Sequence, residues 1–479
     1  MRICLVSTFP PSRGGLNEYG FHIAHELQQN PLLSVTILAD QLPAPQPELD
    51  GFSVIRCWSF DDPLSPVKLL RSIREVNPDV VWFNLLFTTF GHNPLAAFLG
   101  LITPALARMA GYWTHITLHH LMDTIDLADA GVRFPRIYRL GGAVVTQMLL
   151  AANSVSVLMP AYRRLLRTRY GGSHTKLRAH GILCPIPEFP DYSQRGNPIH
   201  RVLAFGKWGT YKRVEHLIEA FRLLKTMVPN VKLIIAGGDH PRTPGYIASV
   251  AQQFQDDPTV EFTGYVSEED IPSLYKQSTV LVLPYSSSAG ASGVAHLASA
   301  YGVPIISADL RDFREMSEEE GMAIEFYELG NSHDLANRLA TLIQSPEMQR
   351  RMAMQNFRVA LHMTMPQVIF SYLHSFQVEQ EMKNQESLVR LRRLPRWFPA
   401  RAWIGRTIAK RGLIARASSP QLLRAGRSLA LMDGEHGGSR PLDLAGVPAN
   451  GNGVIGRITL NDGALLSTLA PAGAEQEPQ

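Results

Sequence analysis

Several short stretches of this sequence place glycines, small polar residues and lysines directly after strand-like apolar runs. The first contains Gly14 and Gly15, which follow the run at residues 3–6 and precede a helix-like pattern. A glycine pair lets the backbone approach a ligand closely, and the N-terminus of a helix attracts an anion. A tight turn between a strand and a helix would use the same residues. The glycine pair alone leaves both interpretations open.

The second stretch carries Gly206, Lys207 and Lys212 between a strand-like run and a helix-like pattern. Two ammonium groups beside a helix N-terminus are suited to neutralise a diphosphate, through their charge and through the oriented backbone amides. Lysines on a solvated surface would give the same pattern, and these residues alone favour neither interpretation.

The third stretch is a predicted strand that ends at Gly264 and continues into Tyr265 and Val266. Its exposed backbone groups and the neighbouring apolar side chains could hold a planar base. An ordinary strand end has the same composition, so this stretch alone does not distinguish the two.

The fourth stretch, residues 286–293, includes Ser288, Gly290, Ser292 and Gly293 and runs into a predicted helix. Small residues and free amides at the start of a helix can cradle a phosphate or the hydroxyl groups of a sugar. Taken alone, a loop that caps a core helix is the more ordinary interpretation.

The elements that must position these stretches alternate strands and helices, a rhythm typical of a parallel sheet. The strands read as continuous apolar runs, which indicates that helices cover both of their faces. In the first part of the chain the predicted strands are residues 2–7, 34–38, 53–57, 79–83, 115–118 and 154–158, and the predicted helices include 17–29 and 66–76.

A proline-rich linker at residues 184–198 interrupts the alternation, which then restarts. The sequence therefore predicts an α/β protein with two doubly wound sheets in tandem. Sheets of this type bind ligands at the carboxyl ends of their strands, so we expect the site in a cleft between them. The predicted elements of the second part are strands 201–205, 231–236, 260–263, 279–283 and 304–307, and helices 213–227, 244–254, 270–276 and 291–301.

Composition is that of a soluble globular protein, with 45% hydrophobic and 18% charged residues. The chain begins with a strand-like run, so no signal peptide is predicted. Three dispersed cysteines, Cys4, Cys57 and Cys184, fit a reducing cytosol.

The most apolar stretch, residues 95–110, is interrupted by Pro104 and falls short of the ~20 residues that span a bilayer. It is predicted to form one buried or interfacial helix.

Charge is distributed unevenly along the chain. Residues 387–427 contain eleven Lys and Arg and no Asp or Glu, whereas the remaining residues on each side of this segment carry a net negative charge. A nucleic-acid-binding protein would spread positive charge over a folded face, so that class is excluded. The tail beyond residue 437 is rich in Gly, Ala and Pro and is predicted to be disordered.

Taken together, in this order and spacing, the four stretches resemble the retaining family-four, or group 1, glycosyltransferases of GT-B fold. The resemblance covers about residues 1–375 and is strongest in the second part. Gly206 and Lys212 match the family pattern, while Lys207 replaces its arginine and Arg213 its second glycine. The resemblance implies that Lys207 and Lys212 hold the diphosphate of a nucleotide-sugar donor. Lysine keeps the charge of arginine but loses its bidentate fork.

The family also has a histidine after a strand of the first domain, beside the donor sugar. His119 occupies that position, and the resemblance implies that it orients a sugar hydroxyl and assists departure of the leaving group. Without the resemblance, a histidine pair such as His119 and His120 is more often structural. His180 stands where the family has an asparagine.

The largest departure from the family is the loss of its two glutamates, which are eight positions apart. Ala289 and Leu297 occupy those positions, and His296 is the polar neighbour of the second. The contact that the family makes with the nucleotide ribose is therefore lost, moved to His296 or supplied elsewhere.

The resemblance implies four regions. Residues 1–185 form a Rossmann-like domain on the acceptor side, and residues 199–365 form a Rossmann-like domain that binds the nucleotide-sugar. Residues 366–386 form a crossover helix, and residues 387–479 form the basic segment and the disordered tail.

The implied activity is transfer of a hexose, with retention of configuration, to a glycan or lipid-linked acceptor in the synthesis of a surface or extracellular polysaccharide. No metal or other cofactor is expected, since lysines and helix N-termini would stabilise the departing diphosphate. A sugar-nucleotide epimerase and a binding scaffold without catalysis are the alternatives. We expect a cytoplasmic protein, and residues 390–427, with Trp397 and Trp403, could place it on an anionic membrane surface. A solvated basic linker is the alternative for that segment.

Overall fold

The computed structural model describes residues 1–393 except 13–15, 45–46, 125–133, 190–198, 210–211, 241–242, 255, 268 and 288–290, with side chains described to residue 382. The predicted basic segment beyond residue 393 and the predicted tail lie outside the described residues. So do Gly14, Gly15, Ser288 and Gly290, which belong to the predicted site.

The first sheet has seven parallel strands in the order β3-β2-β1-β4-β5-β6-β7. Strand β1 pairs with a neighbour on each side, Ile3 lying opposite Val35 of β2 and opposite Val80 of β4. The strands are β1 (Arg2–Val6), β2 (Ser34–Asp40), β3 (Val54–Trp58), β4 (Val80–Leu85), β5 (Thr114–Leu118), β6 (Ser154–Val157) and β7 (Thr175–Leu177).

Helices connect these strands and cover the sheet, and the central strands are buried along almost their whole length, as the apolar runs predicted. The helices of this region are α1 (Asn17–Gln28), α2 (Ser65–Val76), α3 (Pro94–Leu101), α4 (Thr103–Met109), α5 (Pro135–Leu149) and α6 (Pro160–Tyr170).

The second sheet has six parallel strands in the order β10-β9-β8-β11-β12-β13. The strands are β8 (His200–Phe205), β9 (Val231–Ala236), β10 (Val260–Gly264), β11 (Val280–Leu283), β12 (Ile305–Ala308) and β13 (Ile324–Tyr327). The helices are α7 (Val214–Met227), α8 (Tyr246–Gln253), α9 (Ile271–Lys276), α10 (Gly293–Ala300), α11 (Arg311–Glu315), α12 (Ser332–Ile343) and α13 (Pro346–Leu361).

The last described helix, α14 (Met365–Arg393), follows the second region but packs on the first. Its residues Ile369, Tyr372 and Phe376 share one buried cluster with β1 and β4. Thr117 Oγ1 donates a hydrogen bond to the Tyr372 hydroxyl at 3.2 Å. The end of the chain's second region is thereby tied back to the first sheet.

Residues 95–110 do not form the single helix that was predicted. The chain there forms α3 and α4, which meet at Ile102, and Pro104 lies in the first turn of α4. Proline is tolerated in a first turn but not in a helix interior, which explains the break. No described helix is both long enough and apolar enough to cross a bilayer.

Candidate active site

Three glycines stand at the carboxyl ends of neighbouring strands in the second sheet. Gly206, Gly237 and Gly264 follow β8, β9 and β10 or end them, and their φ angles are 141°, 106° and 66°. Gly206 N–H donates to the Ala236 carbonyl at 3.0 Å, and Gly237 N–H donates to the Gly264 carbonyl at 2.8 Å. A Cβ on Gly237 would lie 2.0 Å from the Gly206 carbonyl oxygen. The backbones of adjacent loops can meet here only because these side chains are absent.

Lys212 is held against this glycine edge. A Cβ on Gly206 would lie 2.7 Å from the Lys212 Nζ atom, so the glycine makes room for the ammonium group. Nζ lies 4.7 Å from the ring centroid of Tyr285 and 5.5 Å from that of Trp208. The side chain is 7% exposed. A cation stabilised by aromatic faces in a shielded position can attract an anion strongly.

Burial, with a further contribution from the nearby charge of Lys207, lowers the pKa of Lys212 to about 8. The side chain of Lys207 itself is exposed. The charge of Lys207 therefore acts on Lys212, but only Lys212 is enclosed.

Hydrogen bonds to the end of β9 hold the loop that carries both lysines. Trp208 N–H donates to the Gly238 carbonyl at 2.8 Å, and Trp208 Nε1–H donates to the Ala236 carbonyl at 3.0 Å. Arg213, which replaces the family's glycine, adopts φ 46° at the start of α7. The left-handed turn that glycine would make is therefore kept, at the steric cost of a side chain.

Helix α10 begins where the two regions meet. Ser292 caps it, because its hydroxyl accepts a hydrogen bond from the Ala295 N–H at 3.3 Å. A Cβ on Gly293 would lie 3.7 Å from His180 Cε1, and His180 follows the last strand of the first sheet. A Cβ on Gly206 would also lie 3.8 Å from Val294 Cγ2, so the same helix borders the Lys212 loop.

His296 on α10 stacks on His180, with ring centroids 4.9 Å apart and planes at 20°. Its Nδ1 donates to the Ser292 carbonyl at 2.7 Å, and its Nε2 donates to Glu320 Oε2 at 3.0 Å. Burial alone would lower the pKa of His296, but the Glu320 carboxylate and the two acceptors raise it above its usual value. With both nitrogens facing acceptors, the surroundings favour the imidazolium form of the ring.

This geometry bears on the predicted ribose contact. His296 is 1% exposed, and a ribose hydroxyl could reach its nitrogens only after the bonds to Ser292 or Glu320 break. The structure assigns His296 to the contact between the two regions, where it presents a charged ring to neutral His180. Burial, and then the charge of His296, lowers the pKa of His180 to about 3.

His119 lies on the other side of the same cluster. Its Nε2 donates to Asn84 Oδ1 at 2.7 Å, and its ring meets that of Tyr19 edge-on, with centroids 4.6 Å apart. The Tyr19 hydroxyl donates to the His180 carbonyl. Burial, and then electrostatic interaction with the titrating His180 and His120, holds the pKa of His119 well below its usual value. A neutral, oriented imidazole suits hydrogen bonding to a sugar hydroxyl better than proton transfer.

The third predicted stretch is more open. Gly264 ends β10, the side chain of Tyr265 is 85% exposed, and Val266 is partly buried against the core. Tyr275 of α9, fully buried, donates its hydroxyl hydrogen to the Val294 carbonyl at 3.3 Å. Helix α9, which follows this strand, therefore contacts α10.

Sequence reasoning missed several residues of this site. Gly237 follows a strand, as Gly206 does, and that signal was available. Tyr19 and Asn84 lie within or beside predicted elements but carry no spacing that indicates a site. Glu320 is 24 positions from His296, so only the folded chain shows that they pair. Within the described residues, no group of three or more His, Cys, Asp and Glu side chains could hold a metal ion.

Comparison with known proteins agrees with this architecture. Residues 197–358 match the family model described as glycosyl transferases group 1. No curated protein matches the chain in sequence.

Several solved structures share the fold. A sucrose-phosphate synthase from Thermosynechococcus elongatus is 15% identical with a TM-score of 0.61, and the match covers 79% of this chain and 98% of that one. The Anabaena protein HepE, in complex with UDP, is 17% identical with a TM-score of 0.59 and coverage of 79% and 100%. The lipopolysaccharide outer core galactosyltransferase WaaB is 16% identical with a TM-score of 0.50 and coverage of 75% and 99%.

The two parallel sheets, the site at the carboxyl ends of their strands and the match over the second region agree with one another. The second region matches the group 1 glycosyltransferase family, and the chain has the GT-B fold of these solved structures.

Proposed function

We propose that the protein transfers a hexose from a UDP-sugar to a glycan or lipid-linked acceptor, with retention of configuration, in the synthesis of a surface or extracellular polysaccharide. The observation that carries the proposal is Lys212, an enclosed ammonium group at the carboxyl ends of the strands in the second sheet. The choice of UDP is supported by HepE, whose structures contain UDP and UDP-glucose.

In the proposed mechanism the bond between the anomeric carbon and the diphosphate ionises first. Lys212, aided by exposed Lys207, stabilises the charge that develops on the departing diphosphate, and this electrostatic term is the main source of catalysis. His119 orients a hydroxyl of the donor sugar. The acceptor hydroxyl then attacks from the face that the diphosphate leaves, and the diphosphate takes its proton.

The loss of the family's glutamate pair shapes the donor site. Leu297 cannot bind a ribose, and His296 beside it is engaged with Glu320 and Ser292. The proposed donor therefore binds through its diphosphate and through backbone groups near Gly264 and Ser292. The same loss favours a binding scaffold without catalysis as the second candidate function.

The test compares UDP, GDP and ADP and their hexose derivatives in thermal unfolding, followed by hydrolysis and transfer assays with those that stabilise the protein. Lys212→Ala should abolish stabilisation by UDP and reduce turnover by about two orders of magnitude or more. Lys225→Ala is the matched control, because it removes a lysine from the far end of α7.

The outcomes separate the candidates. Stabilisation by UDP-hexose with neither hydrolysis nor transfer would identify a binding scaffold. Consumption of the donor without an acceptor, with an epimeric sugar nucleotide as product, would identify an epimerase. A Lys212→Ala variant with unchanged UDP binding would refute the diphosphate assignment.

A further inference from the structure

Asn84 of β4 lies between the residues that follow β1 and β5. Its Nδ2–H donates to Ser7 Oγ at 3.1 Å, and its Oδ1 accepts from His119 Nε2–H at 2.7 Å. Asn84 and Ser7 are fully buried. The backbone N–H of His119 donates to the Leu85 carbonyl, also of β4, at 3.1 Å. Strand β4 therefore holds both the backbone and the ring of His119.

The two side-chain distances fix the direction of the Asn84 amide. An N–H···O hydrogen bond spans about 2.7–3.2 Å and an O–H···O bond about 2.5–3.0 Å. With Oδ1 facing His119, both contacts are N–H···O bonds within that range. In the opposite direction the Ser7 hydroxyl would have to donate across 3.1 Å, which is long for its class. The amide therefore offers its oxygen to the histidine.

The surroundings of the His119 ring keep it neutral. The titratable side chains around it are Tyr19 of α1, whose ring meets it edge-on, His120 beside it and His180 after β7. None of these is a carboxylate that would favour the charged form. Burial, and then interaction with the two neighbouring histidines, holds the pKa of His119 well below its usual value.

A neutral imidazole carries one N–H group and one acceptor nitrogen. Because Asn84 Oδ1 can only accept, the hydrogen of His119 is on Nε2, and Nδ1 is the acceptor. No described residue hydrogen-bonds to His119 Nδ1, and the ring is half-buried. This nitrogen is left for a bound molecule, and it requires that molecule to supply a hydrogen.

We propose that Asn84 is a positioning residue that presents His119 Nδ1 as a hydrogen-bond acceptor to one hydroxyl group of the donor sugar. This role rests on the proposed function and adds a rule of specificity to it. The donor must carry a hydroxyl group at that carbon, because a hydrogen or a fluorine there cannot donate and would leave Nδ1 unpaired.

The tautomer is measured first, because it needs no turnover. The full chain is labelled with ¹⁵N-histidine, and ¹H–¹⁵N correlation spectra are assigned with His119→Gln. At neutral pH we expect a neutral His119 ring with the hydrogen on Nε2. UDP-hexose should shift the Nδ1 signal, whereas UDP should not. Asn84→Leu is similar in size but cannot accept, so it should lose the preference for this tautomer.

The pH profile separates positioning from a structural role. Asn84→Asp keeps the acceptor but places a negative charge beside the ring, which raises the pKa of His119. Once protonated, Nδ1 donates and no longer accepts. We expect kcat/KM of Asn84→Asp for UDP-hexose to equal that of the wild type at high pH. Relative to the wild type, it should fall about tenfold or more in mild acid.

Asn153→Asp is the matched control. Asn153 Oδ1 accepts from the Thr114 N–H at 3.0 Å, at the amino ends of β5 and β6. The substitution keeps an acceptor and adds a carboxylate to the same sheet, at the end away from His119. Its pH profile and the tautomer of His119 should match those of the wild type.

Deoxy derivatives of UDP-hexose identify the hydroxyl group. For one of them we expect the wild type to show a kcat/KM about tenfold to a hundredfold lower than for the parent sugar. Asn84→Leu should lose most of this discrimination. UDP affinity, which the proposed function assigns to Lys212, should stay unchanged in both Asn84 variants and shows that they are folded. If Asn84→Leu does not fold, the wild-type tautomer and the profile of Asn84→Asp still decide.

Three results would overturn the role of Asn84 and leave the diphosphate assignment intact. One is a wild-type His119 with its hydrogen on Nδ1. Another is binding of UDP-hexose without a change at Nδ1. The third is a pair of Asn84 variants that keep the wild-type tautomer, pH profile and discrimination. A wild type that binds neither UDP nor UDP-hexose would refute the proposed function itself, and the sugar contact with it.

Discussion

At the scale of single residues, the charge state of Lys212 controls the proposed diphosphate site. Its pKa of about 8 means that the ammonium form dominates at neutral pH and is lost as pH rises. A bound diphosphate would favour the charged form, so binding and protonation support each other.

The first prediction concerns UDP affinity and pH. In the wild type, affinity should be constant below about pH 7.5 and should fall as pH rises through about 8, because Lys212 loses its charge. Lys212→Arg keeps its charge throughout this range, so its affinity should change little there. Isothermal titration calorimetry with UDP across this range measures both proteins. Parallel pH profiles for the two would contradict the assignment.

The second prediction concerns the pair His296 and Glu320. Glu320→Gln removes the charge that holds the imidazolium, and we expect it to lower the free energy of unfolding by about 1–3 kcal/mol. Because the folded-state pKa of His296 is raised, the pair's contribution is fully present below the unfolded-state value of about 6.5 and disappears as pH rises through the folded-state value.

Chemical denaturation of the wild type and Glu320→Gln should therefore show a larger difference near pH 6 than near pH 9. Glu347→Gln, a change in the first turn of α13 well away from His296 in sequence, serves as the control. A difference that is independent of pH would indicate that Glu320 stabilises the protein without supporting the charge of His296.

At the scale of elements, the glycine edge of the second sheet depends on missing side chains. Gly237→Ala would place a Cβ 2.0 Å from the Gly206 carbonyl oxygen at a φ of 106°. Backbone, unlike a flexible side chain, cannot easily move away. We expect the free energy of unfolding to fall by about 1–3 kcal/mol or more, and UDP binding to weaken with it.

Gly238→Ala is the matched control for this third prediction, since nothing lies within 4 Å of a Cβ at that position. Its stability should stay within about 0.5 kcal/mol of the wild type. Equal effects of the two substitutions in a denaturant titration would show that close packing at Gly237 is not what matters.

Most elements could be predicted from the sequence, because buried parallel strands read as apolar runs and their helices have a clear periodicity. Strand β9 was predicted with its observed bounds, 231–236. The short strand β7 was missed, since three residues give no period. The single helix predicted for 95–110 was wrong, because an apolar stretch hides the break that Pro104 imposes.

At the scale of the whole molecule, the contact between the two regions could not be predicted. Arg164 Nη2 lies 2.8 Å from Glu315 Oε1, and Ala161 N–H donates to Glu315 Oε2 at 3.1 Å. The pairing of His180 with His296 belongs to the same contact. Residues so far apart in sequence carry no local signal of their proximity. The position of Lys212, by contrast, could be predicted, because its loop joins a strand and a helix that are adjacent in sequence.

The fourth prediction is that the protein loses stability in mild acid. Burial lowers the pKa of His120 to about 4 and of His180 to about 3, and it holds the pKa of His115 and His119 well below the usual value. Below pH ~6.5 the unfolded chain binds protons that these folded histidines do not, so stability falls with pH. At pH 5 each such histidine costs about 2 kcal/mol relative to neutral pH.

Replacing one of these histidines should therefore reduce the loss of stability between pH 7 and pH 5. A side chain that cannot be protonated no longer contributes to the pH dependence. We expect His120→Gln to show a smaller drop in the free energy of unfolding than the wild type over this range, whatever its stability at pH 7. His92→Gln, which replaces an exposed histidine, should follow the wild-type slope. Denaturant titrations at both pH values measure the slopes. Several histidine rings stay unprotonated in the folded protein, so the slope of stability against pH tests whether they are all buried, in the first region and at its contact with the second. A wild-type stability that rises toward pH 5 would mean that these rings are open to water.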